Sequence, residues 1–351
     1  MKKLMLLLLL CAFIACQQKQ EKTAFLPADT KEDTALVNKA KAYFKELPIQ
    51  TEIATDPVKE SRVKLGHLLF YDPRISKSGT TSCNSCHNLS SYGVDHLAAA
   101  QSPEGNPAGR NAPSVFNAAL HNMYFWDGRA VTMEEQPGKM VLNPDELSVP
   151  HLGFIVNRLR SDSIYPSLFA AAFPDDKLPV SFTNLKKAIA AFERTLLTPS
   201  RFDIFISGNL TALNAEEKAG LAVFMDAGCA NCHNGVGIGG SSTQRFGIFT
   251  DYRTLTHSRV DDEGKLRITG DTKDKDVFKV PGLRNVEMTY PYFHDGSIAN
   301  LDSTVKIMGK VELNKNFSAS ELKSVVAFLK TLTGDIREEA KKMPEELKSL
   351  K

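Results

Sequence analysis

The chain has 351 residues, enough for two domains of ordinary size, each with its own core. Hydrophobic residues make up 42% and charged residues 24%, a balance that excludes a disordered or membrane-filling chain. The formal net charge of +2 is accounted for by Lys2 and Lys3 of an N-terminal leader, so no nucleic acid or anionic surface is indicated as a partner.

Met1-Lys2-Lys3, the apolar run Leu4 to Ile14 and the small Ala15 before Cys16 read as a secretion signal over 1–15, too short to span a bilayer. Ala15-Cys16 matches the end of a bacterial lipobox, which would make Cys16 the lipidated first residue. Phe13 stands where Leu is usual, so a plain cleaved signal is the alternative. The expected address is the periplasmic side of a bacterial cell envelope, with the membrane met only through that lipid. Residues 16–50 form a polar tether, Gln17 to about Lys31, and a first amphipathic helix with Leu36, Ala40, Tyr43 and Phe44 on one face.

Asp56 as N-cap and Pro57 at N1 predict a second helix running through Leu65, Leu68 and Leu69. After Asp72-Pro73 the periodicity is lost, and the chain reaches Cys83-Asn84-Ser85-Cys86-His87. Cys-x-x-Cys-His is the attachment pattern of a c-type haem: the thiols become thioethers to the vinyl groups, and the adjacent imidazole is delivered to the iron. The pattern returns as Cys229-Ala230-Asn231-Cys232-His233, so two covalent haems c are expected. The competing assignment is a pair of zinc-knuckle half-sites. Against it stand the His after each pair, the long separation and the export signal. Of the six cysteines, Cys11 falls in the leader, Cys16 is the lipid anchor and four belong to haem, which leaves none for a disulfide.

From Asn88 to Pro113 the composition is that of an extended loop, a length usually kept for function. A helix is predicted from about Asn184 to Leu197, with Leu185, Ala188, Ile189, Phe192 and Leu196 on one stripe, ended by Thr198-Pro199-Ser200. The domain boundary is placed there, giving an N-terminal haem domain over 51–199 and a C-terminal one over 200–336. The second opens with a helix capped by Asn214 and Glu217 that buries Leu221 and Phe224. It closes with the capping box Ser318-x-x-Glu321 ahead of Leu322, Val325, Val326 and Leu329. The alternating Glu and Lys of the charged tail, 337–351, read as a solvated helix or frayed end. Strand signals are few. The expected fold class is mainly α: two cytochrome-c-like haem domains in one chain with long ordered loops. A faint repeat agrees, with Arg110-Asn111 then Tyr124-Phe125-Trp126-Asp127-Gly128 in one half, and Arg284-Asn285 then Tyr292-Phe293-His294-Asp295-Gly296 in the other.

Axial ligands decide what a haem does: two strong ligands favour electron transfer, while an open sixth position admits a small oxidant. Downstream of His233 the candidate sulfurs are Met288, Met308 and Met343. Met308, with the flexible Gly309 after it, is the best placed, against the alternative of a core-filling Met. The first half has no such Met. It carries instead Glu134-Glu135-Gln136 and Asn143-Pro144-Asp145-Glu146. A carboxylate near the iron can take a proton from one peroxide oxygen and return it to the other. The alternative for each acid is a solvated surface charge. Trp126, the only tryptophan, is either a core residue or an indole between two haems.

These residues resemble the bacterial di-haem cytochrome c peroxidase family, which includes the MauG-like proteins, over nearly all of the chain from about Val58 to Gly334. The marks are Leu65-Gly66 through Phe70-Tyr71-Asp72-Pro73-Arg74, Ser82 to Asn88, Arg110-Asn111-Ala112-Pro113, Phe125-Trp126-Asp127-Gly128-Arg129, Val280-Pro281-Gly282-Leu283-Arg284-Asn285, and Pro291-Tyr292-Phe293-His294-Asp295-Gly296. The resemblance implies a cytochrome c peroxidase reducing hydrogen peroxide with electrons from a small cytochrome c or cupredoxin. It makes the haem of Cys83, Cys86 and His87 the peroxide site, and that of Cys229, Cys232 and His233 a His/Met relay with Met308 as second ligand. It also implies Glu146 as acid-base residue, Gln136 as distal-pocket donor, Trp126 between the haems, and a homodimer. A calcium ion would be held by the Asn111 side chain and the carbonyls of Thr289 and Pro291, the hard oxygen donors that ion prefers.

One departure concerns the loop Ala100-Gln101-Ser102-Pro103-Glu104, where family members commonly place a His that caps the peroxide-binding iron at rest; here Pro103 takes its place. Proline has no lone pair to give iron, so the N-terminal haem is expected to be open when oxidised unless His96 or His121 substitutes. Both read more simply as loop and packing residues. Two other functions remain in view: a MauG-like oxidase of a partner protein, in whose branch a Tyr replaces the Met308 ligand, and a di-haem electron carrier or sensor without catalysis.

Overall fold

In the computed structural model, which describes residues 30–48, 56–100, 109–258 and 260–348, helices dominate. The signal sequence, Cys16, most of the tether and Pro103 lie outside the described residues. In chain order come α1 (Thr30–Tyr43), α2 (Pro57–Tyr71), the single turn α3 (Cys83–Cys86), α4 (Glu135–Val141), α5 (Leu152–Arg160), α6 (Tyr165–Ala172), α7 (Phe182–Glu193) and α8 (Arg201–Ile206). They continue as α9 (Ala215–Asp226), α10 (Arg253–Thr256), α11 (Leu266–Thr269), α12 (Leu301–Leu313), α13 (Ala319–Lys330), α14 (Glu338–Lys341) and α15 (Glu345–Lys348). A small antiparallel sheet pairs β1 (Thr243–Arg245) with β2 (Val277–Lys279), Thr243 opposite Lys279. Among the described residues no helix is long and apolar enough to cross a membrane.

The helix starts arise from their caps. Asp56 Oδ1 accepts from the Val58 and Lys59 N–H groups ahead of Pro57, while Asn214 with Glu217 and Ser318 with Glu321 form the reciprocal boxes that open α9 and α13. The helix expected over 184–197 is instead Phe182–Glu193. Ser181 caps it earlier by accepting from the Asn184 N–H, and its end is cut short because Leu196 and Thr198 are engaged by Asn117.

Two helix crossings organise the packing, α2 on α7 and α9 on α13. They are built alike. A Cβ on Gly66 would lie 1.9 Å from the Ala188 carbonyl oxygen, and one on Gly220 would lie 1.8 Å from that of Ser324; glycine lets the backbones touch. Beside each crossing sits one aromatic pair, Phe70 with Phe192 at 5.4 Å and 62°, Phe224 with Phe328 at 5.3 Å and 59°, a geometry worth about 0.5–1.5 kcal/mol beyond burial.

Two hydrophobic cores result, one around Leu65, Phe70, Tyr165 and Phe192, the other around Phe202, Leu221, Phe224 and Phe328. The chain ends cross over between them. Val37, Ala40 and Phe44 of α1 belong to the second core, and Ala340 and Leu347 of the tail belong to the first. The tail is therefore not the solvated end expected from its alternating charge: Ala340 and Leu347 are each 7% exposed, and the Tyr71 hydroxyl donates to the Ala340 carbonyl. One apolar residue per short helix is too sparse a signal to read as an amphipathic face.

The internal repeat is real, but its register differs from the one read in the sequence. Asn117, not Asn111, corresponds to Asn285: both are left-handed, with φ of 61° and 63°, and each precedes a short 3₁₀ turn. In step with them, Phe125 and Phe293 take φ of 64° and 71°, and the isolated bridges Tyr124–Ala130 and Tyr292–Ile298 coincide. In this register Asn111 is the counterpart of Lys279, and Trp126 that of His294. The Arg-Asn dipeptide was a misleading anchor because the conformationally required residue is the asparagine alone.

Candidate active site

Each Cys-x-x-Cys-His stretch is a tight turn, held by His87 N–H to the Cys83 carbonyl at 2.9 Å and His233 N–H to the Cys229 carbonyl at 3.0 Å. Both turns open into one continuous, mainly apolar cavity of about 790 Å³, lined by Cys83, Cys86 and His87 at one side and Cys229, Cys232 and His233 at the other. That volume lies in the upper part of the usual range for ligand sites of roughly 300–1,000 Å³.

No disulfide joins any of these four cysteines. Burial pushes Cys86 and Cys229 each up to about 11 and Cys83 higher still, so these three are not activated thiolates. Among the described residues no three His, Cys, Asp or Glu side chains converge on a metal-sized point, which removes the geometry a zinc knuckle needs.

His233 is a neutral imidazole, its pKa lowered to about 4 by burial. Its Nδ1–H donates to the Pro281 carbonyl at 3.2 Å, which leaves the Nε2 lone pair free. Burial likewise lowers His87. Its Nδ1 is buried without a hydrogen-bond partner, although the carbonyl of Pro113, the residue in step with Pro281, lies near enough to oppose the shift. Two cysteines, a neutral imidazole and an apolar hollow at each end are the donor set and shape that a covalent haem requires.

The ends differ in what else they present. At the first, Glu146 lines the cavity, with Oε1 accepting from Asn143 Nδ2 at 2.8 Å and ion-paired with Arg129 Nη2 at 3.7 Å. Its pKa is raised, chiefly by burial, against the lowering effects of Asn143 and Arg129. Gln136 on α4 also lines the cavity, its Nε2 3.8 Å from Met140 Sδ. Glu193, buried on α7, is pushed up to about 8 by burial and therefore holds its proton near neutrality. At the second end, α12 brings Met308 to the cavity wall, whereas Met343 is exposed and Met288 does not line it.

Trp126 also lines the cavity. Its Nε1–H donates to the Asn111 carbonyl at 2.9 Å, and its ring meets that of His294 edge-on at 6.4 Å. Asn111 Nδ2 donates to the Leu97 carbonyl at 2.9 Å, and its Oδ1 has no hydrogen-bond donor among the described residues; Thr289 and Pro291 line the same cavity. His96 is outside it. Both its ring nitrogens are engaged, Nε2 with Ser91 Oγ at 2.7 Å and Nδ1 with the Tyr290 carbonyl at 2.8 Å. His121 does line the cavity, packed on Gly240 and Gly282 and kept neutral by burial and then by Lys279.

Sequence reasoning gave no role to Arg129, Asn143, Glu193 or Lys279. Arg129 and Asn143 stood inside quoted motifs. Glu193 and Lys279 each interrupt an apolar stretch with one charge, a signal visible beforehand as a polar residue on a buried stripe.

A family model described as di-haem cytochrome c peroxidase matches residues 60–211. Cytochrome c551 peroxidase of Nitrosomonas europaea is 43% identical over 289 residues, 82% of this chain and 84% of that protein. Cytochrome c551 peroxidase of Pseudomonas aeruginosa is 40% identical over 305 residues, 86% of this chain and 87% of that one. Among solved structures, a MauG-like protein associated with microbial copper homeostasis superposes with a TM-score of 0.74 at 30% identity, covering 86% of this chain and 97% of the other.

Proposed function

This chain belongs to the di-haem cytochrome c peroxidase family and is a peroxidase, and from that premise we propose that it reduces hydrogen peroxide to water with electrons taken singly from a small cytochrome c or cupredoxin. The observation that carries this reading is the continuity of one cavity between two Cys-x-x-Cys-His turns with unlike surroundings, a carboxyl at one and a thioether at the other.

On this reading the chain forms two haem domains, 51–199 and 200–336, with α1 and the tail strapped across them. Cys83, Cys86 and His87 hold one haem c, and Cys229, Cys232, His233 and Met308 the other. When bound, the N-terminal haem supplies peroxide binding and O–O cleavage, and the C-terminal haem supplies electron transfer. Glu146 takes the proton from the near peroxide oxygen and returns it to the departing one; its pKa, raised chiefly by burial, favours a group that must accept and then release a proton. Arg129 and Asn143 fix the orientation of that carboxyl, Gln136 donates to the bound oxidant, and Trp126 keeps its indole between the haems. His233 stays neutral and offers Nε2 to the iron because Pro281 fixes its tautomer. Two protons and two electrons per peroxide then balance to two waters.

Asn111 Oδ1, without a hydrogen-bond donor among the described residues, supports a calcium ion shared with the Thr289 and Pro291 carbonyls. The leader and Cys16 support a place on the periplasmic side of a bacterial envelope with a lipid anchor, and the family resemblance implies a homodimer. The test is turnover of the holoprotein with peroxide and a reduced small cytochrome or cupredoxin. Two donor equivalents oxidised per peroxide are expected. Peroxide consumption that modifies a partner protein without donor turnover would favour the MauG-like alternative, and no reaction with peroxide would leave only the carrier or sensor.

A further inference from the structure

Lys279 ends β2 opposite Thr243, and its backbone N–H donates to the Trp126 carbonyl at 2.7 Å. These contacts fix it on the seam between the two haem sites. The residue is only 6% exposed and lines the cavity. Burial alone moves its ammonium, down to about 8, with no carboxylate of the described residues close enough to oppose the shift. Of the acids lining the same cavity, Asp145 does not act on Lys279, and the others are committed elsewhere. Asp127 pairs with Arg110 and Arg129, Asp262 with Arg110, Glu146 with Asn143 and Arg129, and Glu312 accepts from the Gly247 N–H. Glu193 feels Arg194 and Glu134, not Lys279. His121, the neighbour that does feel Lys279, is held neutral.

A buried ammonium without an anion costs several kcal/mol, so the cavity is built for a carboxylate that the protein itself does not supply. We propose that Lys279 binds a propionate carboxylate of one of the two covalent haems at the seam, an assignment that rests on both haems being present. The residue in step with it is Asn111, whose N–H donates to the His294 carbonyl at 2.8 Å in the mirrored arrangement. The side chains at the two mirrored positions thus differ, an ammonium at 279 and an amide at 111. A cation beside one haem favours its reduced state, because the added electron settles closer to positive charge.

The experiment is a spectroelectrochemical titration of both haems in the holoprotein and in Lys279→Met, which keeps an unbranched chain but removes the charge. One haem is expected to lose at least tenfold in its reduction equilibrium, 59 mV for one electron, and its propionate bending band in the resonance Raman spectrum should move. The second haem should shift less, and Lys279→Arg should stay nearer the wild type on both readouts. Two unchanged potentials in Lys279→Met overturn the assignment. If that variant fails to mature, a crystal structure of the wild-type holoprotein decides: Lys279 Nζ within hydrogen-bond distance of a propionate oxygen is expected, and Nζ away from both haems overturns it. A wild-type protein purified without haem would contradict the peroxidase reading instead, and is told apart by haem content per chain.

Discussion

The two Cys-x-x-Cys-His sites share a frame and part company at the segment downstream of it. In each, a glycine-mediated helix crossing and an aromatic pair back the haem turn, and a Pro-to-Asn stretch leads into Tyr-Phe-x-Asp-Gly. After Asp127-Gly128 the chain goes into α4 and the turn that carries Asn143 and Glu146. After Asp295-Gly296 it goes directly into α12, which carries Met308. A duplicated scaffold can therefore hold unlike chemistry, because the segment after the Asp-Gly turn decides whether a proton carrier or a sulfur reaches the cavity. The helix pair repeats the contrast: Glu193 comes after Phe192 on α7 where Leu329 comes after Phe328 on α13, and both line the cavity.

The largest way to break the contrast is at Glu146. Glu146→Gln keeps the shape and the Asn143 contact but cannot carry a proton, so kcat/KM for peroxide should fall about 10²–10⁴-fold, with the spectrum of the haem at Cys229 and Cys232 unchanged. In the wild type, burial raises the Glu146 pKa. The ionised form that accepts the first proton is therefore lost, and activity with it, as the pH falls through a value above the ordinary 4.5 for Glu. A variant with wild-type turnover, or an acid limb that persists in it, removes Glu146 from the chemistry.

A smaller effect sharpens the other side of the contrast, the shared frame. Gly66→Ala and Gly220→Ala each drive a methyl into a backbone carbonyl that cannot move aside. Each should cost about 3 kcal/mol, the upper part of the overpacking range, measured as the shift in denaturant midpoint at constant slope. Similar losses are expected because the two crossings are alike. A neutral effect at one glycine alone would mean that the frames are not equivalent.

Much of this was legible beforehand where one residue type has one physical job. The caps at Asp56, Asn214 and Ser318 and the two Cys-x-x-Cys-His turns came from such residues. The repeat was seen but misaligned, since Arg-Asn is a sequence likeness, whereas the shared left-handed asparagine at 117 and 285 is visible only in the backbone. The crossing of α1 and the tail between cores was not legible either. Their apolar residues are few, and which core takes them depends on tertiary geometry. Glu193 and Lys279 were passed over because a lone charge in an apolar run gains its meaning only from the cavity it faces.

The inequality of the two irons is most directly measured by electron paramagnetic resonance of the fully oxidised holoprotein. With Pro103 in place of a capping His and Met308 as the proposed ligand of the other haem, one high-spin and one low-spin ferric signal are expected in equal amounts. Two low-spin signals, or two high-spin ones, would contradict the account.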